Sequence, residues 1–533
     1  MMHRRRFLQA SGLSAAALTV GGSALAHCGS CATDKKPAGK QPNVILILVD
    51  DMGFGDPQCY NAKSLIPTPN IDALATAGMR FTDAHSPSSV CTPTRYGILT
   101  GRYCWRTRLK KAVLWEWDSP LIAKDRLTMG KMFQSLGYST ACVGKWHLGE
   151  DWSRIRTPLK KGAKPPKGKT VFKDKKNSAT YDFTQPILEG PNERGFDYYF
   201  GTSVPNFPPY CFIENDHTVG IPTLAKPDTM FGHPGPMIKG WDLTQIMPGL
   251  FNKANSWVKT EAAKKDKPFF LYLPLTGPHT PIAPTKEFQG KTKAGWYGDF
   301  IHQIDHHIGT LMKTLADSGE ADNTLVIFTS DNGSPARLGT GDMAGNKMTV
   351  HKTGHIPAGD WRGLKSDAWE GGHRVPFIVV WPGKTPAGKT SKEPISSVDL
   401  IATLAAVTGY TLPDTTAQDS HNLLDLFTGK PVGIDAGKPA LREAIVHHSG
   451  GGMFCLRQGS WKLICGLGSG GFSGKGPASL RPKGAKGQLY NLKLDPKEND
   501  NLWLKQPKKV AKLTAILNKY KKTGRSAPLR HKK

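Results

Sequence analysis

At 533 residues, with 71 Lys and Arg against 43 Asp and Glu, the chain carries a formal net charge of +28. Its hydrophobic fraction of 38% and mean hydropathy of −0.38 fit a soluble globular protein, long enough for one large α/β domain and a smaller one. No apolar run reaches the roughly 20 residues that a membrane-spanning helix needs, and the basic excess favours polyanions without choosing among nucleic acid, anionic lipid and sulfated glycan.

The first residues, His3-Arg4-Arg5-Arg6-Phe7-Leu8-Gln9, have the shape of a twin-arginine export signal. A weakly apolar stretch follows, and Ala24-Leu25-Ala26 offers a cleavage site, so residues 1–26 read as a signal peptide and 27–42 as a Lys/Pro/Gly linker. The protein is therefore expected in the periplasm or outside the cell. A lipid anchor at Cys28 is disfavoured, because His27 stands where a lipoprotein box wants a small residue.

Val44 to Val49 is a continuous apolar run of the kind found in central parallel strands, and it ends in Asp50-Asp51. The pattern recurs three times. Tyr138 to Val143 leads into Gly144-Lys145-Trp146-His147. Phe269 to Leu273 leads into Gly277-Pro278-His279-Thr280-Pro281. Leu325 to Phe328 leads into Ser330-Asp331-Asn332-Gly333. Helical stretches such as Asn70 to Gly78 and Phe300 to Asp317 lie between them. In open α/β sheets, sites form at the carboxyl ends of strands, so these four strands predict one active-site rim. Residues 159–176 and 467–487, rich in Lys, Pro, Gly and Ser, read as exposed loops. After about residue 440 the pattern becomes α+β. It predicts a hairpin over Met453–Leu456 and Trp461–Ile464, a strand over Gln488–Leu492 and a helix over Val510–Tyr520. The domain reading is 43–438 for catalysis, 439–525 for the smaller subdomain and 526–533 for a basic tail.

None of the nine cysteines forms paired C-x-x-C sets of zinc-finger spacing. Cys455 and Cys465 flank a probable turn, and both a disulfide across the hairpin and two unpaired buried thiols fit that spacing.

One cysteine is different. Cys91-Thr92-Pro93-Thr94-Arg95 is followed by Leu99-Thr100-Gly101-Arg102. The segment resembles the signature of the type I sulfatases, C-x-P-x-R with an L-T-G-R extension, in the alkaline-phosphatase-like superfamily. L-Y-N-L-x-x-D-P-x-E-x-x-N-L from Leu489 is similar to their C-terminal signature, and the likeness runs collinearly over about residues 42–505. It implies a large, mostly parallel mixed sheet flanked by helices, with a small C-terminal antiparallel sheet. It also implies that a formylglycine-generating enzyme oxidises Cys91 to Cα-formylglycine. A serine that attacked a sulfate ester would become a stable ester itself; an aldehyde hydrate has a second hydroxyl whose proton loss expels sulfate.

Further roles follow from the same resemblance. Asp50, Asp51, Asp331 and Asn332, with the Cys91-derived oxygen, would hold one Ca²⁺ or Mg²⁺ through hard oxygen ligands. Arg95 would orient the hydrate, and Lys145 would bind sulfate and the hydrate. His147 would be the base that triggers elimination. His279 and Lys365 would contact sulfate and help protonate the leaving oxygen. Glu370, His373 and Arg374 read as a buttress and stay outside the site. The expected reaction is hydrolysis of a sulfated carbohydrate or aryl sulfate ester. The rivals are a phosphonate or phosphodiester hydrolase of the same superfamily and a silent sulfated-glycan-binding protein. No motif supports a nucleic-acid partner.

Overall fold

A computed structural model describes residues 40–160, 163, 171–173, 178–335, 340–343, 347–348 and 350–530. The segment read as an export signal, most of the expected linker, much of the Lys-rich segment at 159–176 and the last three residues of the expected basic tail lie outside the described residues.

The molecule is built on a ten-stranded sheet. Its centre is four adjacent parallel strands: Ser139–Lys145, Phe269–Pro278, Asn43–Asp50 and Thr324–Ser330. These are the four strands predicted from hydrophobic runs. Tyr198–Thr202 extends the parallel set beside Ser139–Lys145, and Phe377–Val380 adds an antiparallel strand beside Thr324–Ser330. The Asn43–Asp50 strand shows why an unbroken apolar run is needed. Val44, Leu46 and Leu48 enter the core on one face of the sheet; Ile45, Ile47 and Val49 enter the other. Successive side chains alternate faces, and both faces are covered. One face carries helices Ile246–Ala262 and Gly295–Asp317. No described helix is long and apolar enough to cross a membrane.

Gly144 is required where two central strands close on each other. Its φ is +138°, and a Cβ there would lie 1.8 Å from the Pro274 carbonyl oxygen.

The C-terminal part is a four-stranded antiparallel sheet, Ile445–His448, Phe454–Gln458, Trp461–Ile464 and Gln488–Asn491. Helix Pro507–Thr523 packs Leu513, Ile516, Leu517 and Tyr520 against Leu456, Leu463 and Leu489, together with Tyr103 and Trp105. A buried ionic cluster lies beside this seam. Glu370 meets Lys462 at 3.0 Å and Arg374 at 3.0 Å, Lys462 meets Glu498 at 2.9 Å, and Asp83 meets Arg374 and Arg457 at 2.7 Å each. Glu370 and Arg374 belong to this buried cluster, and His373 Nε2 lies 3.1 Å from Lys462 Nζ.

Two expectations need correction. The disulfide alternative for Cys455 and Cys465 fails: both are free, Cys455 buried and Cys465 exposed. The hairpin register pairs Cys455 with Ile464, which puts Cys465 one residue on, facing away. The Lys-rich segment is not all loop. Val171–Lys173 joins Ser178–Tyr181 and Arg156–Pro158 in a three-stranded antiparallel sheet.

Candidate active site

The sheet brings together all ten residues singled out above. Asp50 ends the first strand, and Asp51 follows it with φ of +71°. This is the left-handed region, which aspartate tolerates better than most residues and which concentrates at functional sites. Asp331 and Asn332 follow the adjacent strand, Lys145 ends another, and His279 follows a third. Lys365 arrives from a loop.

Cys91 is the first residue of a helix, Cys91–Thr100, in which every residue is buried. Pro93 is tolerated because the first helical turn has no internal acceptor for its missing N–H. The helix stops at Gly101, φ +62°, where a Cβ would meet Ile401 Cγ2 at 2.4 Å. Cys91 and Arg95 therefore share the helix's N-terminal end, whose free N–H groups favour an anion.

The charges form an interlocked set. Lys145 Nζ donates to Asp50 Oδ2 at 2.7 Å, Lys365 Nζ to Asp51 Oδ2 at 2.8 Å, and Arg95 to Asp331 Oδ2 at 2.8 Å. Arg95 also reaches the Lys145 carbonyl at 3.2 Å. The Cys91 thiol donates to Asp50 Oδ1 at 3.6 Å. Burial pushes that thiol up to about 12, with Lys145 and Lys365 pulling the other way. Burial would raise Asp50 too, but Lys145, His279, Arg95 and Lys365 hold it well below the usual carboxylate range. Asp331 moves upward, from burial and from Asp50 beside it. Burial would lower Lys365, but Asp51, Cys91, Asp50 and Asp331 together outweigh it and keep the ammonium charged.

The donor set fits a hard divalent cation. One oxygen each from Asp50 and Asp331 lies with the Cys91 sulfur inside 4.8 Å. Asn332 supplies an independent sign. Its Nδ2 donates to Asp51 Oδ1 at 2.7 Å and to the Gly333 carbonyl at 3.0 Å, while its buried Oδ1 has no hydrogen-bond partner. A buried amide oxygen without a donor is costly unless something electropositive completes it.

Both histidines have assignable tautomers. His147, φ +53°, has Nε2 2.9 Å from the Leu114 carbonyl, which can only accept. The proton is on Nε2, and Nδ1, buried without a partner, presents a lone pair. Burial and Lys145 hold this imidazole well below the usual histidine range. His279 Nδ1 donates to the Thr280 carbonyl at 2.6 Å, which leaves Nε2 3.9 Å from Asp51. Burial and Lys365 bring His279 down to about 4.

These groups open into a cavity of about 790 Å³ lined by Asp51, Cys91, His147, His279 and Lys365. A second cavity, about 830 Å³ around Trp117, Glu150 and Trp152, contains none of the ten residues. Sequence reading missed the aromatic wall of the first cavity, which includes Trp115, Phe207 and Phe472. These residues lie in segments without periodicity, so nothing local marks them.

The described geometry is that of a buried thiol at a helix end among carboxylates and cations. Residues 42–410 match the sulfatase family model. The chain belongs to the sulfatase family. It is 33% identical to the N-acetylgalactosamine-6-O-sulfatase of Bacteroides thetaiotaomicron over 90% of this chain and 93% of that one. It is 30% identical to human arylsulfatase A over 87% and 83% respectively. Among solved structures it resembles a protein described under the metabolism of multiple glycosaminoglycans by Bacteroides thetaiotaomicron. The TM-score is 0.73 at 31% identity, covering 91% of this chain and 100% of that chain. The sulfatase expectation and the fold class are thereby borne out, and the chain is an enzyme of the sulfuric ester hydrolase class.

Proposed function

We propose that this sulfatase removes sulfate from the 6-position of an N-acetylgalactosamine unit, using Cys91 oxidised to Cα-formylglycine. The observation that carries the chemistry is Cys91 itself. It is 2% exposed at the start of a buried helix and hydrogen-bonded to Asp50, among charged groups that a structural thiol does not need. The N-acetylgalactosamine-6-O-sulfatase likeness over nine-tenths of the chain supports the sugar and the position.

Asp50, Asp51, Asp331 and Asn332 would hold one Ca²⁺ or Mg²⁺, which supplies a Lewis acid beside the Cys91-derived oxygen. Arg95 fixes Asp331 and the Lys145 backbone in place. Lys145 and Lys365 present fixed positive charge to a sulfate oxygen. His147 takes a proton at Nδ1, the nitrogen that the Leu114 carbonyl leaves unprotonated. His279 Nε2 presents a lone pair; a bound sulfate anion would raise its basicity, and once it has taken a proton from solvent it would donate that proton to the leaving oxygen. Maturation needs a formylglycine-generating enzyme. The twin-arginine-like segment supports export to the periplasm or beyond, and the proposed division is residues 43–438 for catalysis and 439–525 for the smaller subdomain.

The test is release of sulfate from a panel of hexosamines and hexoses, each sulfated at one defined position. N-acetylgalactosamine 6-sulfate should be the best substrate. Preference for another position would refute the assignment of position while leaving the sulfatase class intact. A higher rate on matched aryl phosphonates than on aryl sulfates would favour the phosphonate hydrolase reading.

A further inference from the structure

Three consecutive residues, Leu114-Trp115-Glu116, link the catalytic base to the cavity rim. The Leu114 carbonyl holds His147. Trp115 is 40% exposed on the cavity wall. Glu116, its side chain fully buried, binds His233 Nδ1 at 2.9 Å. The aromatic rings stack on one another. Trp115 and Phe207 lie 5.7 Å apart at 30°, Trp115 and His233 5.6 Å at 21°, and Phe207 and His233 4.6 Å at 26°. The Phe207 ring also meets His147 at 6.0 Å and 90°. The three rings thus pack as one cluster at the cavity wall, and Phe207 meets His147 edge-on. Asn206 lines the same cavity, and its buried Oδ1 has no hydrogen-bond partner.

We propose that Trp115, held from behind by Phe207 and His233, forms the platform on which the sugar ring bearing the scissile sulfate lies, with Asn206 receiving a hydroxyl or amide N–H at its edge. This deepens the proposed carbohydrate specificity and rests on it. A pyranose suits the surface: one ring face is a patch of C–H groups that packs on aromatic rings, and its rim carries hydrogen-bonding groups. A wholly apolar alcohol would cover the rings and leave the Asn206 oxygen unpaired. Glu116 acts through His233 and is a positioning residue.

The test uses the full-length mature enzyme with Trp115→Ala and Trp115→Phe, each checked for an unchanged thermal midpoint. With N-acetylgalactosamine 6-sulfate, Trp115→Ala should raise KM by about tenfold, and Trp115→Phe should recover most of the loss. Inhibition by inorganic sulfate should stay within about twofold in both, because sulfate touches the charged floor and not the platform. An unchanged KM in Trp115→Ala, or weakening of sulfate inhibition in step with KM, would overturn the proposal. A separate readout does not depend on turnover. Saturation-transfer NMR with neutral N-acetylgalactosamine should show transfer to one face of the ring in the parent enzyme and its loss in Trp115→Ala. No transfer in the parent enzyme would overturn the platform. Transfer without hydrolysis of the 6-sulfate would support the platform and overturn only the assigned ester position.

Discussion

Asn332 donates from Nδ2 to Asp51 Oδ1 at 2.7 Å, joining the ends of two adjacent parallel strands from opposite halves of the chain. The bond fixes the amide so that Nδ2 is spent on protein acceptors and Oδ1 is left buried and unpaired. The proposed cation site accounts for that unpaired oxygen, which a simple cluster of ion pairs would leave uncompensated.

Asn332→Leu keeps much of the volume and removes the oxygen. Calorimetric titration of the chelated enzyme should show Ca²⁺ or Mg²⁺ binding weakened by at least about tenfold. Full activity of the parent enzyme after exhaustive chelation would contradict the cation site altogether.

His147→Ala should lower kcat by roughly 10²–10⁴-fold, the usual contribution of a positioned base. KM for a small aryl sulfate should change less. If the base acts late, rapid mixing should reveal a burst of phenol followed by slow turnover. An equal fall in the burst rate would place His147 in the first step instead.

The Glu370–Lys462–Glu498 cluster carries a prediction about stability alone. All three residues are buried, so Lys462→Ala leaves Glu498 without its cation and Glu370 with Arg374 alone at close range. Breaking such a set costs about 3–5 kcal/mol, measurable by denaturant unfolding. A loss below about 1 kcal/mol would mean that water or rearrangement compensates.

Much of this architecture is legible in the sequence, for identifiable reasons. Val44 to Val49 reads as a central strand because both of its faces are buried, so no polar residue interrupts it. The polar residues just beyond each strand stand out against those runs, and the four strand ends meet because the strands are neighbours. Other features are tertiary. The strand at Phe269 continues to Pro278 because Asp50 pairs with Pro278 past an irregularity, a register that composition does not encode. Cys455 and Cys465 flank a turn, but one residue of register decides whether they meet. Trp115, Phe207 and His233 become a wall only when distant loops converge.

Acid should destabilise the fold through its buried histidines. Burial holds His373 and His447 well below the ordinary value of 6.5, and His448 down to about 4. Below 6.5 the unfolded chain binds protons that the folded chain does not, so stability falls as pH drops from 6.5 towards each folded value. Both ring nitrogens of His447 lack partners. His447→Leu should remove up to about 1.4 kcal/mol per pH unit from that slope, read by unfolding at successive pH values. Equal stability at neutral and mildly acidic pH would contradict this.

The central claim is that this sulfatase works through an oxidised Cys91, and the most direct measurement is the mass of the Cys91-containing peptide from active enzyme. An aldehyde in place of the thiol is expected, in a fraction that tracks specific activity across preparations. An unmodified thiol in a preparation that turns over sulfate esters at full rate would contradict it.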